Sequence, residues 1–370
     1  MPVPITHLLP LNSENRWSDL LAVLVEADPS CAAEELGLPT EVESVVVHRE
    51  VAATGRDRID LVVHVDGEAH TVVEVKVLSG LGRRQLDRYR EATATARAHV
   101  VVFPEALTID VSRVEGWRPL TWERLITAFT SSSDAWVAET AHAWLEHLRA
   151  SMPRVGPDTR WNDLRDGEDF VVAGRARVSW VFGQLELPEP IEYDLSESSA
   201  GVSWIVRMWA PAAKPEYVVL VEAEEGLTVR DYPKWAGPSA KQPRGPSVKV
   251  LLQQTGVTTS AGFDWHYLAD MWPAMAAARS AWVQRRPQMK AEHDRAGWQS
   301  IAERGVPPFL GIGFGEGQTK HTRTCMFGAR FQLPADVPLR QVVQTLEEVA
   351  DLVLRMGAIE PSRRASQVDA

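Results

Sequence analysis

Apolar positions in residues 13–27 (SENRWSDLLAVLVEA) recur at helical spacing, with Trp17, Leu20, Leu21, Leu24 and Val25 on one face. Asn12 or Ser13 stands where a cap would start that helix. The period then shortens. Residues 44–51 (SVVVHREV), 58–65 (RIDLVVHV) and 69–77 (AHTVVEVKV) read as strands, and Asp66-Gly67 turns the chain between the last two. A helical pattern returns over 82–97, followed by a short buried strand at 98–103 (AHVVVF) and two amphipathic helices, TWERLITAF and AWVAETAHAWLEHLR. This order predicts a compact α/β unit over residues 1–150.

Residues 151–159 (SMPRVGPDT) are rich in Pro, Gly and polar side chains, which predicts a linker over 151–160. Beyond it, ARVSWVFG, GVSWIVRMWA, EYVVLVEA and SVKVLLQQ read as strands separated by Pro- and Gly-containing loops. A helical region covers 265–304, CMFGARFQL reads as another strand, and LRQVVQTLEEVADLVLRMG is a long amphipathic helix. The pattern predicts an α+β domain of no nameable fold over 161–360 and a frayed tail over 361–370.

Composition narrows this picture. A chain of 370 residues is long for one core, so two domains are expected. No apolar run approaches the roughly 18 residues of a membrane span, and the N-terminus lacks a secretory pattern, so a cytoplasmic protein is expected. Two distant cysteines, Cys31 and Cys325, exclude a disulfide framework or a cysteine-based zinc cluster. The net charge is −11, and residues 1–150 carry 14 basic against 23 acidic side chains. Any contact with nucleic acid must therefore use local basic clusters and bound cations.

The candidate chemistry lies in the strand hairpin. Side chains alternate along a strand, so Glu74 and Lys76 share one face of TVVEVKV while Val73, Val75 and Val77 take the other. Asp60 interrupts the apolar run RIDLVV on the preceding strand. Charges placed among valines need partners. Two converging carboxylates suit Mg²⁺, which accepts one or two carboxylates with waters and phosphate. A lysine beside them can neutralise the carboxylates, contact phosphate, or orient and help deprotonate an attacking water. The turn sets a condition. A plain two-residue loop at Asp66-Gly67 would oppose Asp60 to Val73 and put the carboxylates on opposite faces, so a three-residue loop or a bulge is required.

Other residues are in phase with this group. Gln85 and Tyr89 lie at i, i+4 on the helix that follows, and Glu14 lies in phase with Trp17 and Leu21 on the first helix. On these residues the chain resembles the PD-(D/E)XK nuclease superfamily over residues 10–150. The helix with Glu14, the Asp60 strand, Glu74-Val75-Lys76 and Gln85-x-x-x-Tyr89 follow in that order, and the later strand and the LTWERL helix look like closing elements. One departure is that Ile59, not proline, precedes Asp60.

The resemblance implies a restriction-endonuclease-like domain, with a central mixed sheet flanked by helices. It implies Asp60 and Glu74 as ligands of Mg²⁺ (Mn²⁺ substituting), the Val75 carbonyl completing the shell, and Lys76 as the catalytic lysine. Gln85 and Tyr89 take supporting roles, and Glu14 an auxiliary acidic one. The implied activity is hydrolysis of phosphodiester bonds in nucleic acid, DNA before RNA. The appended domain would serve substrate, a protein partner, self-association or a signal. Defence against foreign DNA is an analogy at the level of fold. The alternative is a non-catalytic binding or assembly module in which the acidic pair is structural.

Arg83, Arg84 and Arg88, with Arg90, cluster beside the site and are candidates for phosphate contacts, or else form a solvated face balanced by Asp87 and Glu91. His64 is in phase with Asp60, which places it to line the cleft, but a structural role is the expectation. GIGFGEG (311–317) matches no phosphate loop and is expected to be a plain loop. Trp180, Trp204 and Trp209 are expected in the core, whereas KQPRGPSVK (241–249), QRRPQMK (284–290) and KHTR (320–323) are the remaining basic stretches for a nucleic-acid surface.

Overall fold

A computed structural model describes residues 9–11, 13–53, 57–78, 81, 85–107, 115–163, 170–197, 204–224, 245–255, 262–278, 295–306 and 324–362. The chain divides into two compact units, one of residues 1–155 and 164–180, the other of 156–163 and 181–370.

The first unit opens with helices α1 (Glu14–Ala27) and α2 (Pro29–Leu36) and a strand meander, β1 (Val45–Ala52), β2 (Arg58–Val65) and β3 (Glu68–Val75). Helix α3 (Gln85–Ala92), strands β4 (Ala98–Phe103) and β5 (Arg118–Thr121), and helices α4 (Trp122–Phe129) and α5 (Ala135–Ser151) follow. The strands form one sheet in the order β1-β2-β3-β4-β5. β1, β2 and β3 pair antiparallel through short connections, while β3, β4 and β5 run parallel, so the link from β3 to β4 is a crossover that carries α3. Both faces are buried. Leu61, Val63, Val73 and Val75 pack into a core with Trp17, Leu21, Trp122 and Trp144, and Val62, Val72 and Val101 pack on the other side with Leu86 and Tyr89 of α3 and with Trp117. Thr121 and Asp134 cap α4 and α5 by accepting backbone N–H bonds.

The second unit holds strands β6 (Glu192–Glu197), β7 (Trp204–Pro211), β8 (Tyr217–Glu224), β9 (Ser247–Thr255) and β10 (Thr324–Gln332). They form an antiparallel sheet in the order β10-β9-β8-β7-β6. Helices α7 (Trp265–Ala278), α8 (Arg295–Ala302) and α9 (Leu339–Gly357) accompany it, and α9 buries Leu339, Val342, Leu346, Val349, Val353 and Met356 at helical spacing. The α/β first unit with its mixed sheet and the α+β second unit agree with the expected fold classes.

Several expectations are corrected. ARVSWVFG is not a strand but part of helix α6 (Phe170–Gln184), whose residues are divided between the two units at Trp180. Residues 151–160 are not a free linker. Ser151 ends α5, and Thr159 and Trp161 exchange backbone hydrogen bonds with Leu339 and Val337 (3.0 and 2.9 Å). The first unit therefore does not stop at residue 150. Helix α2 and strands β5 and β6 have no counterpart among the elements expected from the sequence. Ser13 occupies the cap position of α1 without a side-chain bond, and Asn12 and the tail beyond 362 lie outside the described residues. Among the described residues no helix is long and apolar enough to cross a membrane.

Candidate active site

The hairpin meets the register condition through a bulge. The loop is only two residues, Asp66 and Gly67, both at positive φ (50° and 85°), the backbone of a tight hairpin turn. Pairing starts at Val65↔Glu68 and His64↔Ala69, then shifts to Val63↔Thr71, Val62↔Val72 and Leu61↔Val73. His70 is the extra residue. Of the two expected alternatives the structure has the bulge, in β3, after a two-residue turn, and one step beyond Leu61↔Val73 Asp60 faces Glu74. The bulge is tethered from both sides: the Thr71 hydroxyl donates to the Leu36 carbonyl (2.9 Å), and Arg97 N donates to the His70 carbonyl (2.8 Å).

Where the β2–β3 ladder stops, the Asp60 carboxylate takes over. Its Oδ2 accepts from Val75 N at 2.7 Å. Lys76 N donates across to Val102 O of β4 at 2.8 Å. Because the peptide between Val75 and Lys76 is planar and trans, the Val75 carbonyl points the opposite way, toward the β2 side where Asp60 lies. Glu74 is 1% exposed and its Oε1 accepts twice, from Lys76 Nζ and from Gln85 Nε2, each at 2.7 Å. The second hydrogen of the Gln85 amide goes to the Tyr89 hydroxyl at 3.0 Å, so Gln85 and Tyr89 meet Glu74 from the first turns of α3. Glu14 Oε1, from the first turn of α1, accepts from Val77 N (2.7 Å) and Leu78 N (3.3 Å), just past Lys76. Asp60, Glu74, Lys76, Gln85, Tyr89 and Glu14 therefore converge, and Glu14 holds the backbone that follows Lys76.

Burial sets the electrostatics. Desolvation pushes the Glu74 carboxyl up to about 8, against the Lys76 ammonium, and the neighbouring Asp60 charge adds to the rise. Desolvation likewise raises the Asp60 carboxyl, opposed by Lys76 and by the Val75 N–H. For Lys76 burial disfavours the charged form, but Glu74, Glu14 and Asp60 outweigh it and hold the ammonium above its ordinary range. Burial also raises the Tyr89 hydroxyl. Glu74 Oε2 is buried with no hydrogen-bond donor. The Asp60 carboxyl is close enough to hydrogen-bond with Glu74 when one of the two is protonated. Two ionised acceptors so placed call for a proton or a cation between them.

That orphaned oxygen fits a hard divalent cation, and Asp60, Glu74 and the Val75 carbonyl are the oxygens that would hold it. Among the described residues no group of three or more His, Cys, Asp and Glu side chains is placed to bind a metal. A Mg²⁺ site needs only one or two carboxylates, so the pair remains sufficient.

The basic residues contribute less than expected. Arg88 is held in an ion pair with Asp57 (2.5 Å), and Arg90 donates to the Glu115 carbonyl. Arg83 and Arg84 lie outside the described residues, as do GIGFGEG, QRRPQMK and KHTR. His64 packs edge-on against His48 (centroids 4.6 Å), a structural contact. Lys249, the last residue of KQPRGPSVK, is buried between Glu222 and Glu224 and is not part of an open basic surface. Trp204 is buried, whereas Trp180 and Trp209 are half-buried, Trp180 on a helix.

Two side chains at the site escaped the sequence pattern. The Trp122 indole donates to Lys76 O at 2.8 Å, and Arg175 Nη1 donates to Leu78 O. Trp122 sits in the LTWERL segment, where only its apolar character was legible. Arg175 lies on α6, in the stretch read as the start of another domain, and carries no local signal. Comparisons with protein-family models, with curated proteins and with solved structures find no match to this chain.

Proposed function

We propose that the first unit is a metal-dependent nuclease of the PD-(D/E)XK kind, hydrolysing phosphodiester bonds in nucleic acid, with DNA the first substrate to test. The observation that carries this is the buried Glu74 Oε2, which lacks a donor while a second carboxyl, Asp60, faces the same group. Beside it stand Lys76, whose ammonium is 2.7 Å from the other Glu74 oxygen, Oε1, an amide–phenol pair, and a mixed sheet whose hairpin bulge brings the carboxylates to one face.

When bound at Asp60, Glu74 and the Val75 carbonyl, Mg²⁺ supplies Lewis-acid stabilisation of charge on the phosphate. The residues of the chain do the rest. Asp60 and Glu74 provide negative charge that pays for drawing a cation into a dry site. Lys76 presents an ammonium beside Glu74, positioned to hydrogen-bond a phosphate oxygen or the attacking water. Gln85 fixes which Glu74 oxygen is occupied, and Tyr89 fixes Gln85. The acidic surroundings leave phosphate binding to the cation and to Lys76.

The rival function is a binding or assembly module, favoured by the burial of Glu74 and Lys76 as an ion pair. Purified protein with Mg²⁺ or Mn²⁺ separates the two. Degradation or nicking of DNA or RNA that Lys76→Ala removes, in a protein with an unchanged far-UV spectrum, supports the nuclease. Activity that survives Lys76→Ala refutes it.

A further inference from the structure

Strand β3 ends at Val75, and the next residues leave the sheet, so their backbone groups need other partners. Lys76 N makes the last ladder bond, to Val102 O at 2.8 Å. Side chains from distant parts of the sequence take over from there. The Trp122 indole, at the start of α4, donates to Lys76 O at 2.8 Å. Glu14 of α1 accepts from Val77 N and Leu78 N, and Arg175 of α6 donates to Leu78 O. Trp122 is fully buried, and its ring packs at 5.4 and 5.1 Å from those of Trp17 and Trp144. Its N–H is therefore delivered from a fixed frame.

We propose that Trp122 and Arg175 are positioning residues, gripping the carbonyls at either end of Lys76–Leu78 so that the Lys76 amine is held against Glu74. This rests on the nuclease function proposed above. The grips act on backbone atoms, so they set the position of the Lys76 Cα whatever side chains follow it. A lysine on a loose strand end would sample many rotamers, whereas one on a clamped backbone keeps the geometry that transition-state stabilisation needs. Arg175 thus brings a side chain of helix α6 to the strand end that carries Lys76.

The test uses the full chain with Trp122→Phe, which keeps a ring and drops the N–H, and Arg175→Met. The first measurement is backbone amide exchange in metal-free protein. Each variant is expected to speed exchange at Val77 and Leu78 at least tenfold, with Val100, Val101 and Val102 in β4 unchanged. The second is cleavage with Mg²⁺, where kcat is expected to fall at least tenfold and KM to stay within twofold. Unchanged exchange at Val77 and Leu78, equal acceleration throughout the sheet, or an unchanged kcat would overturn the proposal. If the wild-type protein does not cleave nucleic acid at all, the nuclease function falls, and the exchange result alone upholds or overturns the clamp.

Discussion

Each unit buries a lysine against glutamate on a β-sheet, and the two arrangements differ in balance. In the second unit Lys249, 3% exposed, lies between Glu222 and Glu224, while Arg207 makes a two-pronged bond to Asp194 (3.0 and 2.8 Å). Strand register places Lys249, Glu222, Arg207 and Asp194 in one cross-strand row, so opposite charges alternate from β9 to β6. Glu224 is also 28% exposed and keeps contact with water. In the first unit Lys76 has one close carboxylate oxygen, a second carboxyl faces the first, and Glu74 Oε2 has no donor. A buried ion pair alone is thus a poor sign of a site. An uncompensated acceptor within one is a better sign.

Replacing each lysine by methionine is the severest challenge to this contrast. Lys76→Met is expected to lower cleavage by roughly 10²–10⁴-fold with a small change in stability, because the Glu74 carboxyl can take up a proton instead. Lys249→Met is expected to cost about 1–3 kcal/mol in chemical denaturation, by removing the partner of the half-buried Glu222 and Glu224 carboxylates, while cleavage per folded molecule stays the same. Equal stability losses in the two variants would erase the distinction.

A smaller effect concerns pH. The Glu74 carboxyl is raised from its ordinary 4.5 to about 8, so its protonated form is favoured by folding. The stability this gives is complete below about 4.5 and is lost as pH rises through about 8. Metal-free wild-type protein should therefore lose more melting temperature between pH 6 and pH 9 than Glu74→Gln, by roughly 2–4 °C per kcal/mol. Added Mg²⁺ should narrow the gap for wild type, since the ion requires the ionised carboxylate. Parallel melting curves for the two proteins without metal would show that Glu74 is not held neutral by its surroundings.

The smallest effect is at the turn. Gly67 sits at φ 85° with open space where a Cβ would be, so Gly67→Ala should cost only backbone strain, about 1–2 kcal/mol. Register depends on the bulge at His70, so cleavage should be retained. A loss of cleavage equal to that of Lys76→Met would mean that the turn, not the bulge, sets the carboxylate faces.

Most of the first unit was legible because its elements keep their periods: α1 buries Trp17, Leu21 and Leu24 on one face, and β3, buried on both faces, is from Thr71 on a run of β-branched residues broken only by Glu74. The pattern also imposed a register correction in the hairpin, but not its place, since nothing in the types Ala69, His70 and Thr71 marks which residue will be unpaired. Helix α6 was misread because it is buried on most of its surface. Val172, Ala173, Ala176, Val178, Val181 and Phe182 surround it and leave no stripe, while Val178, Trp180 and Phe182 imitate a strand. The presumed linker was misread because its Pro- and Gly-rich residues are held by backbone bonds to the 337–340 segment, which side-chain types do not encode. Arg175 and Trp122 were missed as site residues because they act on carbonyls, which every residue has.

Calorimetric titration of Mn²⁺ into the wild-type protein, Asp60→Asn and Glu74→Gln decides whether this carboxylate pair is a metal centre. One ion per chain taken up by the wild-type protein, and none at that site by either variant, is the expected result. No uptake by the wild-type protein, or the same uptake by all three, would contradict a metal centre at Asp60 and Glu74.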